Sequence, residues 1–196
     1  MSAPSRSRRA LVGAAVLILA LAAAWLAAGG GLAPLTGLAA LGRNGDAPEP
    51  PPGQATIVRV VDGDTLVVAL AGREEPVRLI GIDTPETVAP DRPVECFGAE
   101  ASDRLGALAP SGTTVRLERD VEARDRYDRL LAYVYRADDD LFLNEAQVAG
   151  GFAEASEYPP NTARRDQLAR AERGARERRL GLWAACGGPD VPVAAP

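Results

Sequence analysis

The sequence predicts an α+β chain, mainly β: a small closed barrel of five strands with about three helices around it, preceded by an N-terminal hydrophobic helix. Three observations carry this expectation. Three β-rich runs follow one another from Ala55 to Ile82 with only short turn-forming breaks, two more follow a helical stretch, and the C-terminal part returns to helical spacing. So few strands bury their edges most economically by closing on themselves, with helices packed around the closure.

The N-terminal part comes first. Arg6, Arg8 and Arg9 precede an uncharged run from Ala10 to Gly42, whose first part, ALVGAAVLILALAAAWLAA, has 19 residues. At about 1.5 Å per residue that run approaches the thickness of a bilayer, and the upstream arginines predict a cytoplasmic N-terminus with an exported body. Residues 1–42 thus read as a signal anchor, which ties the chain to the membrane if uncleaved, or as a signal peptide cut at an A-x-A site such as Ala20 to Ala22. Residues 43–54, rich in proline and polar side chains, read as an extended linker. The folded domain is expected over 55–186, followed by a flexible tail, 187–196.

Within that domain, TIVRVV and DTLVVAL flank Asp62 and Gly63, a pair suited to a two-residue type I′ turn. PVRLIGI follows a GREE turn and completes a three-stranded meander. ECFGAEASDRLGALAP has helical spacing and ends at Pro110, and TTVRLE and LLAYVY supply two further strands on either side of the polar stretch RDVEARDRYDR. NEAQVAG and TARRDQLARAERGARERRLGLW read as a short and a long helix, with Asn144 and Thr162 placed to cap them. The arginines of the long helix alternate with Asp166, Glu172 and Glu177, while Leu168, Ala171, Ala175 and Leu182 recur near helical spacing. That pattern describes a solvated outer face laced with ion pairs. The simplest closure of these strands is an OB-fold-type barrel.

Composition narrows the chemistry. All 22 basic residues are arginine, and the chain has no histidine, so no Ser-His or Cys-His pair can be built. Acid-base work falls to carboxylates, tyrosines, arginines or a metal. From residue 53 onward 18 arginines face 25 acidic residues, a net charge of −7, which excludes holding a polyanion by overall charge. A local arginine cluster or a bound cation has to do so.

Asp62, Asp64, Asp83 and Glu86 lie at strand ends or turns beside the meander. Carboxylates converging from separate segments suit Ca²⁺ or Mg²⁺, although aspartate is also an ordinary turn former. Arg78 sits inside the apolar strand VRLIGI, where a guanidinium either reaches solvent or pairs with an anion. The period of two puts Arg78 and Asp83 on opposite faces. They can meet only if the strand ends or bulges near Gly81.

VVDGDTLVV, VRLIGIDTPET, ECFGAEA, DRYDRLLAYVY and the closing GLW together resemble the staphylococcal (micrococcal) nuclease family, or thermonucleases, over about Ala55 to Trp183. The resemblance implies a five-stranded OB-type barrel with three helices. It also implies a Ca²⁺-dependent phosphodiesterase that cuts DNA and RNA to 5′-hydroxyl and 3′-phosphate ends, with no protein partner. By that resemblance Asp64 and Asp83 are carboxylate ligands of the metal, Thr84 contributes its backbone carbonyl, and Asp62 stands behind them. Glu86 takes the place of the general base or water-orienting residue, and Arg78 and Arg129 match the two arginines that grip the phosphate. Each suits the chemistry, since a planar guanidinium gives two parallel hydrogen bonds to a phosphate whose charge is building.

Where many family members have glycine between tyrosine and arginine, this chain has Asp128, whose charge beside Arg129 is expected to compete for the guanidinium. SEYPPN is shorter than the corresponding family segment. Tyr158 is the candidate to stack on a nucleotide, with Tyr127 or Arg126 as contacts on the other side, against a buried structural role for each tyrosine. Cys96 and Cys186, the only two cysteines of an exported chain, form a bridge or remain two thiols; relatives with ECFG and a cysteine after LW imply the bridge. The alternative to an enzyme is a noncatalytic nucleic-acid or protein binding module on the same barrel, and the intact set Asp64, Arg78, Asp83, Thr84, Glu86 and Arg129 separates the two.

Overall fold

The computed structural model describes residues 53–87 and 94–193. The expected hydrophobic segment, the linker up to residue 52 and the last three residues of the tail lie outside the described residues. Among the described residues no helix is long and apolar enough to cross a membrane.

The elements run β1 (Gln54–Val60), β2 (Thr65–Leu70), β3 (Arg73–Leu79), β4 (Ile82–Asp83), α1 (Gly98–Leu108), β5 (Thr114–Glu118), β6 (Leu130–Arg136), α2 (Leu143–Ala149), β7 (Glu154–Ala155), α3 (Arg165–Glu177) and α4 (Leu182–Ala185). Five of the strands close a barrel in the order β1-β2-β3-β6-β5. All its pairings are antiparallel except β3 with β6, which run parallel with Val77 opposite Leu130 and Arg78 opposite Leu131. The remaining two strands, β4 and β7, pair apart from the barrel. The expected barrel and three helices are present, and α4 is an additional single turn.

Alternation explains the core. In β1, Ala55 and Ile57 are buried and their neighbours are less so. Leu66, Val68, Val77, Leu79, Val115 and Val134 complete the apolar interior from the other four strands. Helix α1 buries Ala101, Leu105 and Leu108, three and four residues apart, and stops at Ala109 because Pro110 disfavours a helical residue before it. Helix α3 buries Leu168 and Ala175 and leaves its arginines outward, as in the ion pair of Arg165 with Asp166.

Several local expectations give way to tertiary contacts. Asp62 and Gly63 do not form a two-residue turn: the connection spans residues 61–64, and the Asp62 carboxylate accepts the Asp64 N–H at 3.1 Å. The two-residue turn is instead Ala71-Gly72, both with positive φ, between the paired Leu70 and Arg73, so the GREE stretch mostly belongs to β3. Asn144 and Thr162 cap nothing; the positions before α2 and α3 are Phe142 and Arg164. Asn144 is fully buried, and its amide bonds the Val134 N–H and the Ile80 carbonyl instead.

The long C-terminal helix is broken into α3 and α4, because Arg179 and Gly181 take positive φ where Gly181 lies against Gly151. Cys96 and Cys186 form a disulfide across 90 residues, joining the approach to α1 with the end of α4. Beside it the Cys96 N–H donates to Val191 O at 2.7 Å and the Val193 N–H to Val94 O at 3.0 Å, so this part of the expected tail runs back along residues 94–96.

Candidate active site

Strand β3 ends at Leu79, and Ile80-Gly81 turns the chain out of the barrel with φ of +80° at the glycine. The geometric condition set by the sequence is therefore met, and Arg78 reaches Asp83. Arg78 Nη2 donates to Asp83 Oδ1 at 2.8 Å and lies 3.1 Å from Asp64 Oδ2, while Nη1 donates to the carbonyls of Leu79 and Ile82. One guanidinium, itself 19 % exposed, thus holds two carboxylates from separate segments and crosslinks the turn.

Asp64 is the buried member of the pair. Its Oδ2 accepts the N–H and the hydroxyl of Thr84, at 3.1 and 3.0 Å, and its Oδ1 accepts the Thr65 hydroxyl. Burial pushes its carboxyl up to about 7; Arg78 opposes the shift, while Asp62 and Asp83 add to it. Asp62 stands behind Asp64 and orders the turn. A second carboxyl nearby, Glu154, opposite Asp83 across the β4–β7 pair, is also pushed up to about 7, by burial first and then by Asp190, Asp83 and Glu172.

A cleft of about 400 Å³ opens in front of this cluster. Arg78, Asp83, Arg126, Tyr127, Arg129 and Tyr158 all line it, and the parallel pairing of Val77 with Leu130 puts Arg78 and Arg129 on neighbouring strands. Arg129 is set by Asp125, whose Oδ2 accepts Arg129 Nε at 2.7 Å and whose Oδ1 accepts the backbone N–H groups of Arg129 and Tyr127. Burial alone would raise the Asp125 carboxyl, but these bonds hold it below its ordinary value.

Tyr127 and Tyr158 are exposed, at 64 % and 44 %, so neither is a buried structural tyrosine. The Arg126 and Arg129 guanidinium groups both lie over the Tyr127 ring, 4.7 and 5.5 Å from its centroid.

One expectation needs correction. Asp128, in left-handed backbone, does not compete for Arg129: its carboxylate faces solvent 3.6 Å from Arg124 Nε, and Asp125 holds Arg129. Glu86 Oε1 accepts the Thr87 N–H at 2.9 Å, and its backbone is bonded twice to Glu95.

The protein-family model for staphylococcal nuclease homologues matches residues 76–185, more than half of the chain. This chain belongs to the staphylococcal nuclease family. Among curated relatives, the thermonuclease of Staphylococcus intermedius is 41 % identical over 127 residues, covering 65 % of this chain and 74 % of that one. The thermonuclease of Staphylococcus hyicus is 39 % identical over 127 residues, covering 65 % and 73 %. Endonuclease YncB of Bacillus subtilis (strain 168) is 40 % identical over 134 residues, covering 67 % and 62 %.

On this member of the family, sequence reasoning overlooked Asp125. The signal was present in DRYDR, where an aspartate stands four residues before an arginine. It passed for one more charge in a polar connection because ion pairs at that spacing are commonplace on surfaces. No comparable signal marked Glu154, whose partners come from distant segments.

Proposed function

We propose that this nuclease is a calcium-dependent phosphodiesterase that hydrolyses DNA and RNA to 5′-hydroxyl and 3′-phosphate ends. The observation that carries the reading is the Arg78 guanidinium bridging Asp64 and Asp83 at a cleft that Arg129 also lines.

The donor set fits a hard divalent cation. Asp64 and Asp83 offer carboxylate oxygens beside Thr84, the chain has no histidine, and both cysteines are in the disulfide. A buried carboxyl near 7 is one that a cation would stabilise in its charged form. Among the described residues no three His, Cys, Asp or Glu side chains gather as a cage, which suits an ion that keeps several waters. Asp64, Asp83 and the Thr84 carbonyl would hold Ca²⁺, which supplies Lewis-acid stabilisation to a nonbridging phosphate oxygen and neutralises the two carboxylates.

The protein side chains do the rest. With a cation on Asp64 and Asp83, Arg78 Nη2 would be released from those carboxylates and, together with Arg129, would donate to the phosphate oxygens on which charge develops. Asp125 keeps Arg129 oriented, so less is lost in ordering it at the moment of reaction. With histidine absent, Glu86 accepts the proton of the attacking water and rotates away from the Thr87 N–H to do so. Tyr127 and Tyr158 present ring faces to a base, a contact that tolerates any sequence and either sugar.

The body acts outside the cytoplasm, held at the membrane by residues 1–42 or secreted after their removal; the three arginines before the 19-residue apolar run support this orientation. Cleavage of DNA and RNA by the full chain, with Ca²⁺ and with a chelator, tests the reading, and 5′-end phosphorylation of the products without prior phosphatase identifies the ends. Metal-independent products, or a Glu86→Gln variant as active as the parent, would sink it.

A further inference from the structure

Two side chains of α2 reach back to the two segments that carry Asp64 and Asp83. Asn144 and Gln147 are three residues apart, on one face of the helix, and both are completely buried. Gln147 Nε2 donates to Gly63 O at 2.7 Å and to Ala101 O at 3.0 Å. Gly63 is the residue immediately before Asp64. Asn144 Nδ2 donates to Ile80 O at 2.8 Å, at the residue before the kink glycine, and its Oδ1 accepts the Val134 N–H at 3.0 Å.

The Gly63 side is tightly seated. A Cβ there would stand 2.8 Å from both Ala101 Cβ and Thr84 Cγ2, so the turn lies directly between α1 and the residue that bonds Asp64. The amide gives two buried carbonyls their donor, while its own Oε1 is buried with no hydrogen-bond partner among the described residues. Two carbonyl acceptors also dictate the amide orientation, because only the NH₂ end can satisfy them.

We propose that Gln147, together with Asn144, is a positioning residue for the cation site: from behind the barrel wall α2 sets the Asp64 turn against the Ile80-Gly81 kink, and with it the separation of the two carboxylates. This rests on the calcium reading above. The helix carries no ligand itself and acts through the backbone carbonyls of Gly63 and Ile80.

Calcium titration of the full chain by calorimetry, with amide hydrogen exchange of the calcium-free chain, tests it. Gln147→Leu is expected to raise the calcium Kd about 10- to 100-fold, as loss of groups behind metal ligands typically does. It is also expected to speed exchange in the 61–65 turn while β6 stays protected. Gln147→Met, unlike the leucine variant, is unbranched and close to glutamine in length. Val148→Ala, on the same helix and equally buried, weakens packing and is expected to leave the Kd unchanged.

If both Gln147 variants bind calcium as the parent does, if neither folds, or if Val148→Ala weakens binding as much, the positioning role is overturned and the calcium reading stands. If the parent binds no calcium, the calcium reading falls first and this inference falls with it.

Discussion

Gly81→Ala tests whether the turn out of the barrel holds the site together. Gly81 has φ of +80°, and a Cβ built there lies 2.5 Å from Leu168 Cδ1, a core side chain of α3. Two costs add. Holding an L-residue in left-handed backbone costs about 1 to 2 kcal/mol, and overpacking a closed core position costs about 1 to 3 kcal/mol. Gly72→Ala isolates the first cost, because Gly72 has φ of +75° with nothing within 4 Å of the added Cβ.

The two variants should therefore differ by about 1 to 3 kcal/mol in urea unfolding followed by circular dichroism. At about 2 to 4 °C per kcal/mol for a chain of this size, that is a difference of several degrees in Tm. Only Gly81→Ala should also slow phosphodiester cleavage, since the same displacement separates Arg78 from Asp83. Equal losses of stability, or a Gly81→Ala enzyme of parental activity, would refute the reasoning.

Further outcomes follow from the same geometry. Arg78→Ala and Arg129→Ala are each expected to lower kcat by about 10² to 10³, read by single-turnover cleavage of a labelled oligonucleotide. Asp125→Asn keeps an oxygen for the backbone N–H groups of Arg129 and Tyr127 but puts an NH₂ where Oδ2 accepts Arg129 Nε; kcat should fall while circular dichroism stays parental. Because burial pushes the Asp64 carboxyl up to about 7, the calcium proposed there would displace a proton, and its affinity should fall on the order of tenfold per pH unit as the pH drops below that value. The stability sign is the reverse. With calcium removed, the folded chain holds the Asp64 proton more tightly than the unfolded one, so this group's contribution to stability should decline as pH rises from about 4 to 7; Asp64→Asn should show a shallower decline than the parent, the remainder coming from groups such as Glu154, and equal slopes would refute it. Replacing both cysteines by serine reopens a loop of 90 residues, and the chain-entropy model gives a loss of about 4 to 5 kcal/mol, measurable by denaturant titration.

The barrel could be read from the chain because its strands alternate cleanly, as Ala55 and Ile57 do in β1. The site could be read because rare chemistry stood out, with Arg78 inside an apolar strand and Gly81 where that strand had to break. What escaped reading was decided by distant contacts. Asn144 is a residue type that favours helix caps, yet burial redirected its amide to one strand, β6, and one turn. Ala71 is no turn former, yet the pairing of Leu70 with Arg73 imposed positive φ upon it. Two-residue strands such as β4 and β7 have no period to detect, and Gly181 closes on Gly151 thirty residues away in sequence.

The parallel pairing of β3 with β6 divides what can vary from what cannot. Val77 to Leu79 lie opposite Leu130 to Ala132, so Arg78 sits within one ladder and Arg129 immediately precedes the other. The residues from Arg119 to Asp128 enter and leave at the barrel wall without taking part in that ladder. This segment is tied to β6 all the same, by the Leu131 N–H to Ala123 O bond at 2.9 Å and by the Asp120 carboxylate on the Tyr133 hydroxyl, so an exchanged segment must bring those partners together with the aspartate that grips Arg129. A single-residue insertion within Leu130 to Ala132 would do more damage: it would turn the interior of β6 outward and carry Arg129 away from Arg78.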